Sequence, residues 1–547
     1  MRKTKIIATL GPAVEDEKKM RALVKKGVDI ARLNAAHGSI ENHIDMMKRF
    51  VEISHEEGKI TAVMLDIKGP EVRVMHSRIR FAREGDTITV GEGGDIEFNH
   101  PEVYDVLKPG NTILIHDGDI EMIVSNQKDS IFTAKVVRGG IIAPRMGANF
   151  PGLHIPIEYI QDRDVEFMKS LGDVDFIAAS FVRCAGDILA LKKKMKEIGI
   201  EARIISKIEN QEGVDNIDEI LEVSDGIMVA RGDLGTEIPV ENIPGIQKYL
   251  LKRARAYGKP GIIATQILES MIRNPHPTRA EVSDIANSIL DGADALMLSG
   301  ETAIGKYPIE AVDYLSRVAE KADMLVEKRG IEELEGTISE CVGNAAVLLA
   351  NEVKANAILI LTRSGKTARL VSRHRIPMPM LAASYSDKTL RELSIYWGVE
   401  GFKVDKFELA DQAVNVAMRK AEELGLVHKG DVLVIAGGEP SGIPGTTNFV
   451  WVQIVGDIVA RGRGFGKNIV TGIAGRNRDD EIVILEELTE EKLLRNNKGV
   501  IVESTVYSPK VIRNLTKKGI SIIAGTGKID VDGMKITLDP LRGVIWM

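Results

Sequence analysis

The sequence predicts an α/β protein built on a (β/α)8, or TIM, barrel, with an inserted β lid domain and two smaller α/β domains behind it. Three observations carry this: short apolar runs alternate with amphipathic stretches from Thr4 to Lys328, charged residues gather where the runs end, and one long interruption breaks the alternation. The runs are residues 4–10, 28–34, 61–67, 174–182, 202–208, 226–232, 261–266 and 294–299. Helix-like stretches follow them, as at 243–257, where Ile246, Tyr249, Leu250, Arg253 and Ala254 recur at three- and four-residue spacing. Repeated βα units of this number imply a closed barrel.

The interruption, residues 74–149, holds strand-like segments at 112–115 and 131–137 and turn signals at Glu92-Gly93-Gly94 and Asp117-Gly118. It reads as a small β-barrel inserted after the third strand, overhanging the C-terminal ends of the strands as a lid that excludes water. Past a connector at 329–337 a new pattern begins: helix 338–353, strand 357–362, helix 367–374, then alternation to about Arg463. The tail offers strand 500–502, helix 508–518, strand 520–524 and β-like 535–546. The expected domains are the barrel, residues 1–73 and 150–330; the lid, 74–149; an α/β allosteric and oligomerisation domain, 331–463; and a small α/β module, 464–547.

Composition narrows the classes. A chain of 547 residues exceeds one hydrophobic core. Its 44% apolar and 28% charged residues are those of a globular protein, and with aromatics at 4% the packing falls to Ile, Val, Leu and Ala. The N-terminus runs into an apolar segment ended by Gly11-Pro12, neither a secretory h-region nor a membrane span, so a cytoplasmic location is expected. Cys184 and Cys341 are too few for a disulfide framework or a thiolate metal site. A net charge of -7 argues against a broad nucleic-acid surface and requires any anionic substrate to meet a local positive site.

Barrel chemistry sits at the C-terminal ends of the strands. Here those ends carry Arg32 and Asn34, Asp66 and Lys68, Ser180 and Arg183, Lys207 and Glu209, Arg231 and Asp233, Thr265 and Gln266, then Ser299 and Glu301. Solvated loop starts explain one such charge but poorly explain their convergence. In Ser206-Lys207-Ile208-Glu209, strand alternation puts Lys207 and Glu209 on one face, and with Asp233 a pair of carboxylates is in place for one Mg2+. A salt bridge at the barrel mouth is the simpler account of Lys207 and Glu209 taken alone. The glycines of Ala230-Arg231-Gly232-Asp233-Leu234-Gly235 let backbone N–H groups approach an anion, although turn chemistry alone also favours them.

The segments Thr4-Lys5-Ile6-Ile7-Ala8-Thr9-Leu10-Gly11-Pro12, Ala31-Arg32-Leu33-Asn34, Lys68-Gly69-Pro70-Glu71-Val72-Arg73, Ser206-Lys207-Ile208-Glu209-Asn210 and Met228-Val229-Ala230-Arg231-Gly232-Asp233 closely resemble the pyruvate kinase family. So do Ala264-Thr265-Gln266, Pro277-Thr278-Arg279-Ala280-Glu281-Val282-Ser283-Asp284 and Met297-Leu298-Ser299-Gly300-Glu301-Thr302-Ala303. The resemblance runs in order from Thr4 to about Arg463. It implies transfer of a phosphoryl group from phosphoenolpyruvate to ADP, giving pyruvate and ATP. It also implies Mg2+ or Mn2+ on Glu209 and Asp233, Lys207 stabilising the transferring group and the enolate oxygen, and Thr265 helping to deliver the methyl proton. Arg32 matches the phosphate-binding arginine, the backbone of Gly232 and Asp233 matches the carboxylate site, and Asn34, His37 and Arg73 match positions near the nucleotide phosphates. A homotetramer is implied as well.

The sequence also departs from the family pattern. A hydroxyl of the potassium site is replaced by Ala36, leaving Asn34, Asp66 and the Ile67 carbonyl as candidate K+ ligands, while Glu71 matches the residue that accompanies potassium dependence. Where relatives place a nucleotide-contacting lysine stands Met146, with Arg145 beside it as the substitute phosphate contact. Thr362-Arg363-Ser364-Gly365-Lys366-Thr367 resembles the allosteric phosphate loop, with a sugar phosphate or AMP as the effector class. A capped strand-to-helix turn is the plainer reading of Thr362, Ser364, Gly365, Lys366 and Thr367. The tail faintly resembles a phosphohistidine (PEP-utilising) domain, yet no histidine follows His428, so it reads as an interface or stability module. Two rivals remain: a metal-dependent lyase acting on a pyruvate enolate, which leaves the lid, Arg32 and Arg73 unexplained, and a weakly catalytic metabolite sensor, suggested by Ala36 and Met146.

Overall fold

The computed structural model describes the chain except residues 1, 117, 129, 328–335, 407–409, 439–446, 478 and 490–496. Asp117 of the expected turn and most of the 329–337 connector therefore lie outside the described residues. The chain divides into two compact units, one of Met1–Leu349, Ile358–Ala417 and Ala436–Val450, the other of Ala350–Ala357, Met418–Ile435 and Trp451–Met547.

In the first unit the expected barrel is present. Among the described residues eight parallel strands close on themselves: β1 (Lys5–Thr9), β2 (Ile30–Asn34), β3 (Ala62–Ile67), β4 (Phe176–Ala179), β5 (Arg203–Ile208), β6 (Gly226–Ala230), β7 (Gly261–Ala264) and β8 (Ala295–Leu298). They follow chain order around the barrel, β8 returning to β1 through Lys5↔Ala295 and Ala8↔Leu298. Both faces of such strands are covered, by side chains inside and helices outside, which is why they are near-continuous runs of Ile, Val, Leu and Ala.

The apolar runs overshoot the strands at five C-terminal ends, that of β1 by Leu10 alone. β4, β6, β7 and β8 stop at Ala179, Ala230, Ala264 and Leu298, and the polar residues beyond them occupy turns and helix starts. Phe181, Thr265 and Gln266 take positive φ values of 54°, 65° and 55°, so the chain leaves the sheet abruptly there. Arg231–Glu237 is helical, which puts Gly232 and Asp233 in a first helical turn and not at the end of a strand.

The opposite rim shows a repeat that the sequence reading did not register. An aspartate precedes each even strand and accepts the backbone N–H of the odd strand before it. Asp29 accepts from Ile6 at 2.7 Å, Asp175 from Val63 at 2.9 Å, Asp225 from Ile204 at 3.0 Å and Asp294 from Gly261 at 3.0 Å. Each also meets a guanidinium: Arg2, Arg391, Arg203 and Arg375 respectively, at 2.7, 2.7, 3.2 and 2.9 Å. Strand starts leave N–H groups without a ladder partner, and the carboxylates satisfy them.

Between β3 and β4, the segments Val74–Ser77, Thr87–Gly91, Ile96–Phe98, Thr112–Ile115, Ile120–Lys128, Ile131–Arg138 and Ala148–Asn149 form one mostly antiparallel sheet. Its own core includes Val90, Phe98, Ile113 and Phe132, and Phe81–Ala82 pairs separately with Gly140–Ile141. Further on, Ala357–Leu361, Met380–Ser384 and Val399–Lys403 run parallel, with helices Lys366–Ser372 and Asp387–Leu393 between them.

The second unit holds an eight-stranded mixed sheet, among the described residues, with a core on each face. In Gly499–Val502, Val500 and Val502 join one core and Ile501 the other, as strand alternation dictates. Helix Pro509–Lys517 buries Val511, Ile512 and Leu515 on the first face, and Trp546 packs with Val432, Ile454 and Val544. Among the described residues no helix is long and apolar enough to cross a membrane.

Candidate active site

Charged groups converge where the barrel strands end. Arg32 closes toward Asp66, its Nε and Nη2 each 2.7 Å from Oδ2, while Nη1 donates to Thr9 Oγ1 at 2.9 Å. The other Asp66 oxygen, Oδ1, accepts from Ser180 Oγ at 3.2 Å and from Lys207 Nζ at 3.2 Å. Lys207 Nζ also donates to Ser180 Oγ at 2.7 Å and lies 3.0 Å from Glu209 Oε1. Glu209 Oε2 accepts the backbone N–H of Phe181 at 2.7 Å, a contact made possible by the left-handed turn at that residue. Residues from β2, β3, β5 and the turns after β4 and β5 are thus joined in one buried network.

Its electrostatics are specific. Burial lowers the pKa of Lys207, but the charges of Asp66 and Glu209 outweigh it and hold the ammonium well above the ordinary lysine value. Burial raises Asp66, and the Arg32 and Lys207 charges reverse this to leave its carboxyl below the usual range. Glu209 differs: burial pushes it up to about 7 against the pull of Lys207, and the Asp233 charge adds to the rise. Its Oε1 is buried and accepts no hydrogen bond among the described residues. Two mutually repelling carboxylates, one with a buried oxygen whose partner is the Lys207 ion pair alone, form a donor set that suits a hard divalent cation. Glu209 and Asp233 are the residues that would hold it.

The turn after β7 meets the helix after β6. Gly232 N–H donates to Thr265 Oγ1 at 2.8 Å, and that hydroxyl donates to the Ala264 carbonyl at 2.7 Å. An open cleft of about 750 Å³, lined by Arg231, Asp233, Val240, Thr265 and Asp284, begins here. A cavity of about 410 Å³ between lid and barrel, lined by Glu71, Asn149, Phe150, Phe181, Arg183 and Asp233, meets it at Asp233. The lid enters through Lys68-Gly69-Pro70. Gly69, at φ 63°, crosses Ser180 so closely that a Cβ would stand 2.6 Å from the Ser180 carbonyl oxygen. The Asp164 carboxylate takes the N–H groups of Lys68 and Gly69, both at 2.9 Å.

The remaining residues singled out in the sequence lie further from this network. Asn34 pairs in register with Asp66, its Oδ1 accepting the Ala36 N–H at 3.1 Å, and Ile67 ends β3. His37 is exposed in the loop beyond. Arg73 and Arg145 face each other across the two strands of the lid hinge: Arg73 Nη1 donates to the Arg145 carbonyl at 2.6 Å, and Nη2 lies 2.7 Å from Glu71. The Arg145 side chain is exposed, with its backbone at φ 75°. In the loop after Ala357–Leu361, Gly365, at φ 76°, donates its N–H to Thr362 Oγ1 at 2.9 Å, and the Thr367 hydroxyl sits 2.6 Å from that of Thr447. Ser364 and Lys366 flank that glycine.

Sequence reasoning gave no role to Ser180, Tyr159 or Asp284. Tyr159 donates from its hydroxyl to the Ser180 carbonyl at 2.9 Å, and Asp284 anchors Arg231 at 2.8 Å. Only the polar end of the fourth run hinted at Ser180. The others sit in loops and helices whose approach to the barrel mouth leaves no periodic trace.

Two family models match the chain: one described as the pyruvate kinase barrel domain, over residues 1–312, and one as the pyruvate kinase alpha/beta domain, over 340–453. The pyruvate kinase of Sporosarcina psychrophila is 37% identical over 581 residues, covering 100% of this chain and 99% of its own. That of Clostridium acetobutylicum is 41% identical over 475 residues, covering 83% of this chain and 100% of its own. Among solved structures, a pyruvate kinase from Cryptosporidium parvum superposes with a TM-score of 0.77 at 33% identity, over 83% of this chain and 96% of the other.

Proposed function

The chain belongs to the pyruvate kinase family, and from that premise we infer how its residues carry out transfer of the phosphoryl group of phosphoenolpyruvate to ADP, giving pyruvate and ATP. The observation that carries the reading is the buried Lys207, held between Asp66, Ser180 and Glu209.

The family uses a divalent metal. We assign Mg2+ or Mn2+ to Glu209 and Asp233, where it would neutralise phosphoryl charge and polarise the substrate oxygens. Lys207, kept cationic by its neighbours, stabilises negative charge on the transferring phosphoryl group and on the enolate oxygen. Arg32, aimed by Asp66 and Thr9, binds the phosphate from the other side. The first-turn N–H groups at Gly232 and Asp233 hold the substrate carboxylate, which requires Gly232 to exchange its bond to Thr265 for one to substrate. Thr265 then helps to deliver the proton to the methylene carbon, and that protonation makes transfer to ADP strongly downhill. Asn34, His37, Arg73 and Arg145 bind the nucleotide phosphates, Arg145 standing in where Met146 cannot.

The potassium set is one hydroxyl short. Asn34 Oδ1 is already taken by the Ala36 N–H and Asp66 by three donors, so no step is routed through K+. Turnover compared in potassium and in tetramethylammonium decides whether Asn34, Asp66 and the Ile67 carbonyl hold the ion. The loop of Thr362, Ser364, Gly365, Lys366 and Thr367 is proposed to bind the phosphate of a sugar phosphate or AMP, the enzyme acting as a cytoplasmic homotetramer. The tail, which faintly resembles a phosphohistidine-type domain but has no histidine after His428, is proposed as an interface or stability module.

Pyruvate formation from phosphoenolpyruvate and ADP with Mg2+ tests the reading. Wild type is expected to turn over and Glu209→Ala to lose turnover. A wild type inactive across metals and nucleotides would overturn it.

A further inference from the structure

Thr265 and Gln266, which follow β7, both have positive φ, at 65° and 55°. Neither is glycine and threonine is β-branched, so the pair is strained and persists only where its surroundings fix it. Arg231 supplies that fixing. Its Nη2 donates to the Thr265 carbonyl at 2.9 Å and to the Gln266 carbonyl at 3.5 Å, while Nη1 donates to Asp284 on helix Arg279–Asp291 at 2.8 Å. The side chain is 11% exposed. Without substrate the next residue adds a second hold, Gly232 N–H bonding Thr265 Oγ1 at 2.8 Å, which the substrate carboxylate takes over while the hold on the carbonyls stays. One stretch of chain therefore grips Thr265 by its carbonyl and by its hydroxyl.

We propose that Arg231 is a positioning residue for proton delivery, its guanidinium bridging the carbonyls of Thr265 and Gln266 so that the Thr265 hydroxyl faces the substrate carbon. The proposal rests on the role read for Thr265 above. In the step concerned, the C2=C3 π pair of the enolate forms the new C3–H bond as the C2–O bond becomes a carbonyl. In reverse, C3–H breaks, its electron pair returns to the enolate, and a solvent deuteron replaces the departing proton. A planar fork anchored on Asp284 can hold two carbonyls at once; an ammonium on a flexible stem holds them less well.

The test is deuterium uptake into the methyl group of pyruvate in D2O, followed by proton NMR, beside steady-state pyruvate formation and Mn2+ affinity from water relaxation. Arg231→Met should slow the uptake about 100-fold, the loss typical of a misplaced reacting group. It should lower kcat far more than it alters KM for phosphoenolpyruvate, and leave Mn2+ affinity unchanged. Arg231→Lys should recover part of the uptake. Wild-type uptake in Arg231→Met, or a loss matched by an equal loss of Mn2+ affinity, would overturn the proposal. Should Arg231→Met not fold, Arg231→Lys decides alone: intermediate uptake supports the bridge and unchanged uptake removes it. Thr265→Ala with normal uptake would instead remove the role of Thr265, and a wild type without turnover would remove the kinase reading itself.

Discussion

The two rims of the barrel use similar residues to opposite ends. On the rim where strands begin, Asp29, Asp175, Asp225 and Asp294 each take backbone N–H and a guanidinium, so each of these four carboxylates is matched. Where strands end, Asp66 is matched by several donors, but Glu209 Oε1 has only the ion pair to Lys207, 3.0 Å away, and the carboxylate repels Asp233. A saturated carboxylate stabilises the fold and has no capacity left for a ligand. An unsaturated one costs stability and is where binding is to be sought. The barrel is thus held together at one rim, and the proposed chemistry falls at the other.

Mutations that reverse this division would break the comparison. The largest effect is expected from Lys207→Met, which should lower kcat/KM by at least about 10³-fold, the scale for losing a preorganised group that meets developing charge. Wild-type divalent-metal affinity should persist, and retained turnover would refute the assignment of Lys207. Asp294→Asn probes the other rim. It leaves the Arg375 guanidinium, 2% exposed, without its counter-charge, and stability should fall by about 3 kcal/mol, near the low end for breaking a buried pair. Activity at a temperature where the variant is folded should stay within about twofold of wild type, as expected where the N-terminal rim serves stability. Melting curves and turnover measured on both variants separate the two outcomes.

The sequence made the working rim legible and left the structural rim unseen. Lys207 and Glu209 stand two residues apart at the end of a strand, so alternation alone put them on one face, and Lys207 Nζ does lie 3.0 Å from Glu209 Oε1. All eight runs contain a strand, because a buried parallel strand must be apolar throughout. The aspartate repeat escaped because its partners, Arg375 and Arg391 among them, lie in a different sequence region, and a lone Asp before an apolar run looks like a loop residue. The strained turn at Thr265 escaped for another reason. The positive φ of this non-glycine residue goes with hydrogen bonds from Arg231 and Gly232, distant in the chain, and leaves no local signal.

The smallest expected effect sharpens the same contrast, through a second lysine. Lys259, just before β7, donates to the carbonyls of Leu221 and Glu222 and, among the described residues, has no carboxylate in contact as Lys207 has. Burial pulls its pKa down to about 8; Asp225 and Glu222 counter this, and Lys192 and Arg369 reinforce it. The folded chain therefore releases this proton near pH 8, whereas the unfolded chain keeps it to the ordinary lysine value of about 10.4. Between those values the unfolded state binds more protons, so stability rises with pH, and the cost of the buried charge is felt in full below pH 8. The gain over that window is at most about 3 kcal/mol, from about 1.4 kcal/mol per pH unit. Lys259→Met has no such proton, so its stability advantage over wild type should shrink as pH rises from 8 to 10. A constant difference across that range would mean that Lys259 is solvated when folded, and that unmatched buried charge is confined to the catalytic rim.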